Sequence, residues 1–247
     1  MTKIQTFIFI HDQEILLDFI SHNKFSNLEN LKYVFLGNGD NSKVSKLPNV
    51  VISKNLQINI EEYPKLTSFT GWYALWKNNL VNAEYINLFE YDINLSENFN
   101  NEFNSVINEG VDVIGYVPLS VHNPDFIRTP SWSSDILSSI NKIYGIDADS
   151  FISFLPKNQE CSVTSNHTFN YSTFDAYMRW VEPMIDDIKH SHLSGHQIER
   201  SISLYYLING KKNKILPNIL RHFQFDSHRT QNICQSKFNQ QYKYLFT

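Results

Sequence analysis

Three short, largely apolar runs rich in β-branched and aromatic residues constrain this chain most. They read IQTFIFI at 4–10, LKYVFL at 31–36 and NVVI at 49–52. Such continuous runs fit strands buried on both faces, the condition of a parallel sheet. Between the first two, residues 13–22 (QEILLDFISH) place apolar side chains at 15, 16, 19 and 20. That is helical spacing, and His11-Asp12 just before it can cap the helix. Strand, helix and strand in this order predict a βαβ unit, which needs helices on both sheet faces.

The rest of the chain extends the pattern. LTSFTGWYALWKNNL predicts a helix over about 71–80, capped by Ser68 or Thr70, with Trp72, Leu75, Trp76 and Leu80 on one face. Further strands are predicted at 84–89 and 111–117, a long loop at 118–133, and a helix at 134–144 stopped by Gly145. A short strand at 161–165 leads into Asn166. A helix over 173–189 must kink at Pro183 or tolerate it. A strong helix over 195–209 ends at Gly210, and a polar, aromatic tail follows from 215. No repeat or clear linker interrupts the 247 residues, so one domain is expected over 1–247, with the halves, about 1–120 and 121–247, sharing a sheet. A strand-rich first half and a helix-rich second half give an α/β fold, with a mixed, mostly parallel sheet flanked by helices.

Composition excludes several classes. A hydrophobic fraction of 42% and an aromatic fraction of 14% suffice for a packed core, so disorder is excluded. A net charge of -4 has the wrong sign for a nucleic-acid coat. Two cysteines, Cys161 and Cys234, cannot build a disulfide framework or a Cys-rich zinc site, which fits a reducing cytoplasm. No apolar run approaches about 18 residues, so no membrane span is expected. The N-terminal KIQTFIFIHD lacks a small-residue cleavage site and reads as a strand rather than a signal peptide.

The chemistry concentrates at the end of the strand over 84–89. Glu90 and Asp92 share one side of an extended backbone while Tyr91 takes the other. In open α/β sheets, ligands bind beyond the carboxyl ends of the strands. Two carboxylates there repel unless a cation joins them. A hard divalent ion, Mn²⁺ or Mg²⁺, takes oxygen ligands and commonly keeps a phosphate. The alternative is structural: Asp92 caps the following turn and Glu90 is solvated.

AEYINLFEYDINLSENF resembles the acidic-motif segment of GT-A-type nucleotide-sugar glycosyltransferases, here in an ExD variant. The order of elements is similar over roughly residues 3–120. The resemblance implies a GT-A-like, Rossmann-like fold that transfers a sugar from a nucleotide-activated donor to a glycan or polysaccharide hydroxyl with a divalent metal. It makes Asp92 the principal metal ligand and Glu90 its partner. It places base and ribose at the loops with His11-Asp12 and Asn38-Gly39-Asp40, although GNGD also serves as a plain β-turn. Thr70, Gly71 and Trp72 either approach the nucleotide or begin a capped core helix.

In the second half, the resemblance implies an acidic general base at the start of a late helix. Glu199 resembles it in position, with His196 the competing candidate on the same face; the structural alternative is capping by Ser194 with Glu199 near the first turn. Many such enzymes take another metal ligand from a late His, here His228 or His222, and Arg229 can pair with phosphate. Asn166 and His167 are candidates for acceptor hydroxyls, and Trp132 for stacking on a sugar; core packing is the default for Trp180. Two other readings stay open: nucleotidyl or phosphoryl transfer on the same fold, and a non-catalytic sugar- or protein-binding module.

Overall fold

A computed structural model describes residues 2–123, 126, 130–217 and 219–222. The N-terminal run forms β1 (Thr2–Ile10), and Asp12 caps α1 (Gln13–Ser21) by accepting from the Glu14 and Ile15 N–H groups. β2 (Leu31–Phe35) and β3 (Val50–Ile52) follow, then α2 (Phe69–Lys77) and β4 (Ala83–Glu90). The chain bends at Tyr91-Asp92 into β5 (Ile93–Leu95), then α3 (Phe99–Asn108), β6 (Val113–Gly115) and β7 (Pro118–Ser120). α4 (Pro130–Tyr144), α5 (Ala148–Ser153), β8 (Glu160–Ser162), β9 (His167–Asn170) and α6 (Tyr171–Val181) come next. α7 (Ile185–Ile188), α8 (Ser194–Ile208), β10 (Asn213–Ile215) and β11 (Leu220–His222) complete the described chain.

Seven strands form the main sheet in the order β10-β6-β9-β4-β1-β2-β3. Neighbours are parallel except at β9, which runs antiparallel to both β4 and β6. Alternation along β1 sends Phe7 and Phe9 into one core and Ile4, Ile8 and Ile10 into the other. α2, α4, α6 and α8 cover the Phe7–Phe9 side with Trp72, Ile140, Tyr177 and Ile202 among their buried residues. α1 and α3 cover the opposite side through Leu16, Phe19, Phe99 and Phe103. This is the mixed, mostly parallel, helix-flanked sheet expected from the sequence.

Several boundaries differ. The predicted loop over 118–133 contains β7 and the start of α4, whose Pro130 occupies the first turn, where a missing N–H costs nothing. α3 and β9 were not foreseen as elements. α3 carries Phe99, Phe103, Val106 and Ile107 on its buried stripe, masked by Asn at four of its ten positions. The segment over 173–189 breaks at Pro183 into α6, a 3₁₀ turn and α7. α8 starts at Ser194, with Leu193 rather than Ser194 as cap residue. Gly145 (φ 66°) and Gly210 (φ 59°) follow α4 and α8 in the left-handed conformation that favours glycine.

Candidate functional site

Parallel β1, β2 and β4 bring their carboxyl ends to one edge of the sheet. A cleft of about 490 Å³ opens there. Its floor comes from those strand ends: Phe9 and His11 at the end of β1, Leu36 and Gly37 after β2, and Glu90, Tyr91 and Asp92 at the end of β4. The segment entering α2 supplies a wall with Glu61, Pro64, Thr67, Ser68 and Thr70. That volume lies within the range of small-molecule sites.

Glu90 and Asp92 therefore face the same cavity. The Ser68 hydroxyl donates to Glu90 Oε1 at 3.0 Å, and the Glu90 N–H donates to Asn166 Oδ1 at 2.7 Å. Asp92 is only 7% exposed. Tyr91 also borders the cleft, but it packs with the α1–α3 core and meets the His11 ring edge-on at 5.3 Å. Burial, with the charges of Asp92 and Glu90, pushes the Tyr91 phenol far up, so it stays neutral. Behind the motif, Lys24 Nζ donates to the Ile93 carbonyl at 3.1 Å and lies over the Phe19 and Phe25 rings. Burial pulls the Lys24 pKa well below the usual amine range, opposed by attraction to Asp92 and Asp18.

The described lining thus holds three carboxylates, Glu61, Glu90 and Asp92, and neither Lys nor Arg. Glu61 was not singled out from sequence. It is 3% exposed, accepts the Gly37 N–H on Oε2 at 2.7 Å and accepts the Thr70 hydroxyl on Oε1 at 3.1 Å. The available signal was an acid pair, Glu61-Glu62, between a strand and the helix capped near Ser68. Thr67 adopts φ 55° and ψ −134°, a region that favours glycine. Its carbonyl accepts the Thr70 N–H at 3.2 Å and, at 3.0 Å from the Thr70 hydroxyl, competes with Glu61 for that group's single proton.

The other sequence candidates separate clearly. His11 and Thr70 line the cleft; Asp12, Asn38 and Asp40 do not. Asp12 is engaged as the α1 cap. Asp40 accepts from the Ser42 N–H at 3.0 Å and from Gln13 Nε2 at 2.8 Å, and these bonds, the Ser42 bond foremost, lower its pKa. Gly71 and Trp72 serve packing. A Cβ on Gly71 would sit 2.7 Å from the Phe9 ring, and Trp72 is 1% exposed. Ser68 directs its hydroxyl to Glu90 and makes no side-chain cap bond.

Asn166 is fully buried. Its Oδ1 holds Glu90, while its Nδ2 finds no hydrogen-bond partner among the described residues. His167 is also fully buried, with its ring 5.9 Å from that of Phe169; burial pulls its pKa down to about 3. Glu199 lies on α8, where Arg200 Nη1 donates to Oε2 at 3.0 Å and Ser165 Oγ approaches Oε1 at 3.5 Å. The adjacent residues Ser165 and Asn166 thus touch Glu199 and Glu90 respectively. His196 is half-buried one turn earlier, and neither it nor Glu199 lines the cleft. The β5–β11 ladder registers His222 against Ile93, which places its backbone beside the residue after Asp92. Trp132 lies in the first turn of α4. His228 and Arg229 fall outside the described residues. Trp180 is a core residue, stacked on Tyr144 at 5.6 Å.

Among the described residues, no group of three His, Cys, Asp or Glu side chains is placed to hold a metal. A cation at Glu90 and Asp92 would complete its shell with phosphate oxygens and water, a common arrangement for Mg²⁺. The donor chemistry fits on those terms.

No family model matches the chain, and no curated protein matches it in sequence. Among solved structures, the bifunctional glycosyltransferase WbbM in its apo form superimposes with a TM-score of 0.62 at 15% identity, over 91% of this chain and 46% of WbbM. The chain therefore shares a glycosyltransferase fold and spans about half of that protein's length. No described helix is long and apolar enough to cross a membrane.

Proposed function

We propose that this chain is a metal-assisted, GT-A-type glycosyltransferase, moving a sugar from a nucleotide-activated donor to a hydroxyl of a glycan or polysaccharide acceptor. The carrying observation is that Glu90 and Asp92 line one cleft over the ends of parallel strands, with no Lys or Arg among its described lining residues. A diphosphate placed beside them is repelled by about 4 kcal/mol for each pair of unit charges about 4 Å apart at an effective dielectric near 20. A divalent Mn²⁺ or Mg²⁺ reverses that sign and, when bound, offsets the negative charge left on the departing diphosphate.

In this reading Asp92 is the principal ligand and Glu90 its partner, held in place by Ser68 and Asn166. Glu199, with His196 as competitor, takes the proton of the acceptor hydroxyl; Arg200 steadies its carboxylate. The acceptor would approach from the Ser165-Asn166 side; Trp132 stays a candidate contact, whereas His167, fully buried, packs in the core. His222, His228 and Arg229 remain candidates for metal and diphosphate. The WbbM fold supports glycosyl transfer over other uses of such a cleft.

Thermal unfolding with UDP, GDP or CMP, with and without Mn²⁺, tests the proposal. At 100 times its Kd a bound nucleotide adds about 2.7 kcal/mol of stability, roughly 5–10 °C for a chain of this size. The expected result is metal-dependent stabilisation that Asp92→Ala abolishes. A response to triphosphates alone indicates nucleotidyl or phosphoryl transfer, and no response to any nucleotide indicates a non-catalytic module. Either result rejects the assignment.

A further inference from the structure

Behind the acidic motif, the loop that follows α1 turns a lysine inward at a conformational cost. Asn23 and Phe25, on either side of Lys24, adopt φ 52° and φ 66°. Asparagine tolerates that left-handed region, whereas a bulky Phe there is strained. Such strain persists where the surroundings over-determine it, and it clusters at functional sites. The main chain at Lys24 is held from both sides. Its N–H donates to the Phe19 carbonyl at 2.8 Å, and its carbonyl accepts the Tyr33 hydroxyl at 3.0 Å. The amino group lies 4.4 Å and 4.6 Å from the centres of the Phe19 and Phe25 rings. Withdrawing an amine from water in this way is unfavourable unless acceptors meet it, so packing alone would favour Leu or Met.

The place that Lys24 reaches accounts for the cost. Its Nζ donates to the Ile93 carbonyl at 3.1 Å, 69 residues further along, where β5 begins. On the other side of Asp92, the Tyr91 N–H donates to the Phe9 carbonyl of β1 at 3.1 Å. Asp92 therefore sits between two anchors, one on β1 and one on Lys24. Lys24 itself does not line the cleft. Asp92 and buried Asp18 both attract the amino group, which adds to the hold. Asp18 also balances the lysine's charge. That offsets its repulsion of a cation at Asp92 and leaves the directional hold as the larger effect.

We infer that Lys24 is a positioning residue for the cation site: from outside the cleft it grips the Ile93 carbonyl and fixes the bend that presents Asp92 to a divalent ion. The inference rests on the metal-assisted reading above.

The test is a Mn²⁺ titration read by electron paramagnetic resonance, alone and with UDP, GDP, CDP or ADP, on the full chain as wild type, Lys24→Met and Lys24→Arg. Met keeps an unbranched stem against the two rings and removes the donor, whereas Arg keeps a donor. Groups that orient a metal ligand from behind account for about 10–100-fold in metal affinity. Lys24→Met should lose that much, and Lys24→Arg should restore most of it. Unchanged or tighter Mn²⁺ binding by Lys24→Met overturns the inference even if its Tm falls, because a lysine that only supports the core lowers Tm alone. An equal loss in Lys24→Arg also overturns it, since the donor is then not what matters. Should Lys24→Met fail to fold, wild type labelled with ¹⁵N-lysine decides. Mg²⁺ with the nucleotide should shift the slowly exchanging amine signal of Lys24, assigned by its absence in Lys24→Arg, and no shift overturns the inference. A wild type that binds Mn²⁺ neither alone nor with any of the four diphosphates sinks the metal-assisted reading itself, and the inference with it.

Discussion

Truncating Asn166 tests how the second half of the chain holds the acidic motif. Asn166 is fully buried, and its Oδ1 accepts the Glu90 N–H at 2.7 Å, where β4 gives way to the Tyr91-Asp92 bend. Asn166→Ala removes that acceptor and leaves the N–H short of a partner in a part-buried position. Losing one side of such a bond costs about 1–3 kcal/mol. For a chain of about 150–250 residues each kcal/mol lowers Tm by about 2–4 °C, so a drop of roughly 2–12 °C is expected. The backbone that carries Glu90 also loses its anchor, and Mn²⁺-dependent nucleotide binding should weaken by about tenfold, or about 1.4 kcal/mol. Differential scanning calorimetry reads the first effect and titration calorimetry the second. A Tm within 1 °C of wild type together with unchanged nucleotide affinity would refute the claim that Asn166 positions Glu90.

Two further outcomes are expected. Glu199→Gln should lower kcat by roughly 10²–10⁴-fold with donor affinity retained, measured by steady-state transfer assays and nucleotide titration; a change in stability alone would make Glu199 a structural partner of Arg200. His167 has a folded pKa of about 3 against an unfolded value of about 6.5, so between these the unfolded chain binds a proton that the folded chain refuses. Its contribution is intact above pH 6.5 and falls by about 1.4 kcal/mol per pH unit as pH drops toward 3. His167→Asn should flatten the dependence of Tm on pH between 7 and 5 relative to wild type, and identical slopes would show that another group governs it.

The first half of the fold was legible because its elements carry their own signals. IQTFIFI and LKYVFL are β-rich without tertiary help, and Asp12 caps α1 through its own side chain, as the sequence suggests. β9 was illegible because its burial is polar: Thr168 donates to Asn87 Oδ1 at 2.6 Å and meets the Tyr116 hydroxyl at 2.6 Å. Those partners lie far away in sequence, so HTFN carries no local strand signature. The acidic motif could be placed because alternation after a strong strand needs only local geometry. Glu61 could not, since its place in the cleft arises from Gly37, after β2, and Thr70, on α2, both closing on it. The GNGD turn drew attention for its composition, yet the residue of that turn that reaches the cleft is Gly37, while Asp40 braces the turn itself.

The placement of β9 governs how the molecule can be made. Residues 167–170 lie between β4 and β6, strands that precede them in the chain. A nascent polypeptide emerging from the ribosome therefore leaves the inner borders of both strands unzipped until position 170 has been synthesised. Bare strand borders recruit other chains, so fragments ending near residue 120 should precipitate rather than yield an autonomous nucleotide-binding piece. Closure of that seam joins segments about 80 residues apart, a long-range step expected to set the pace of assembly.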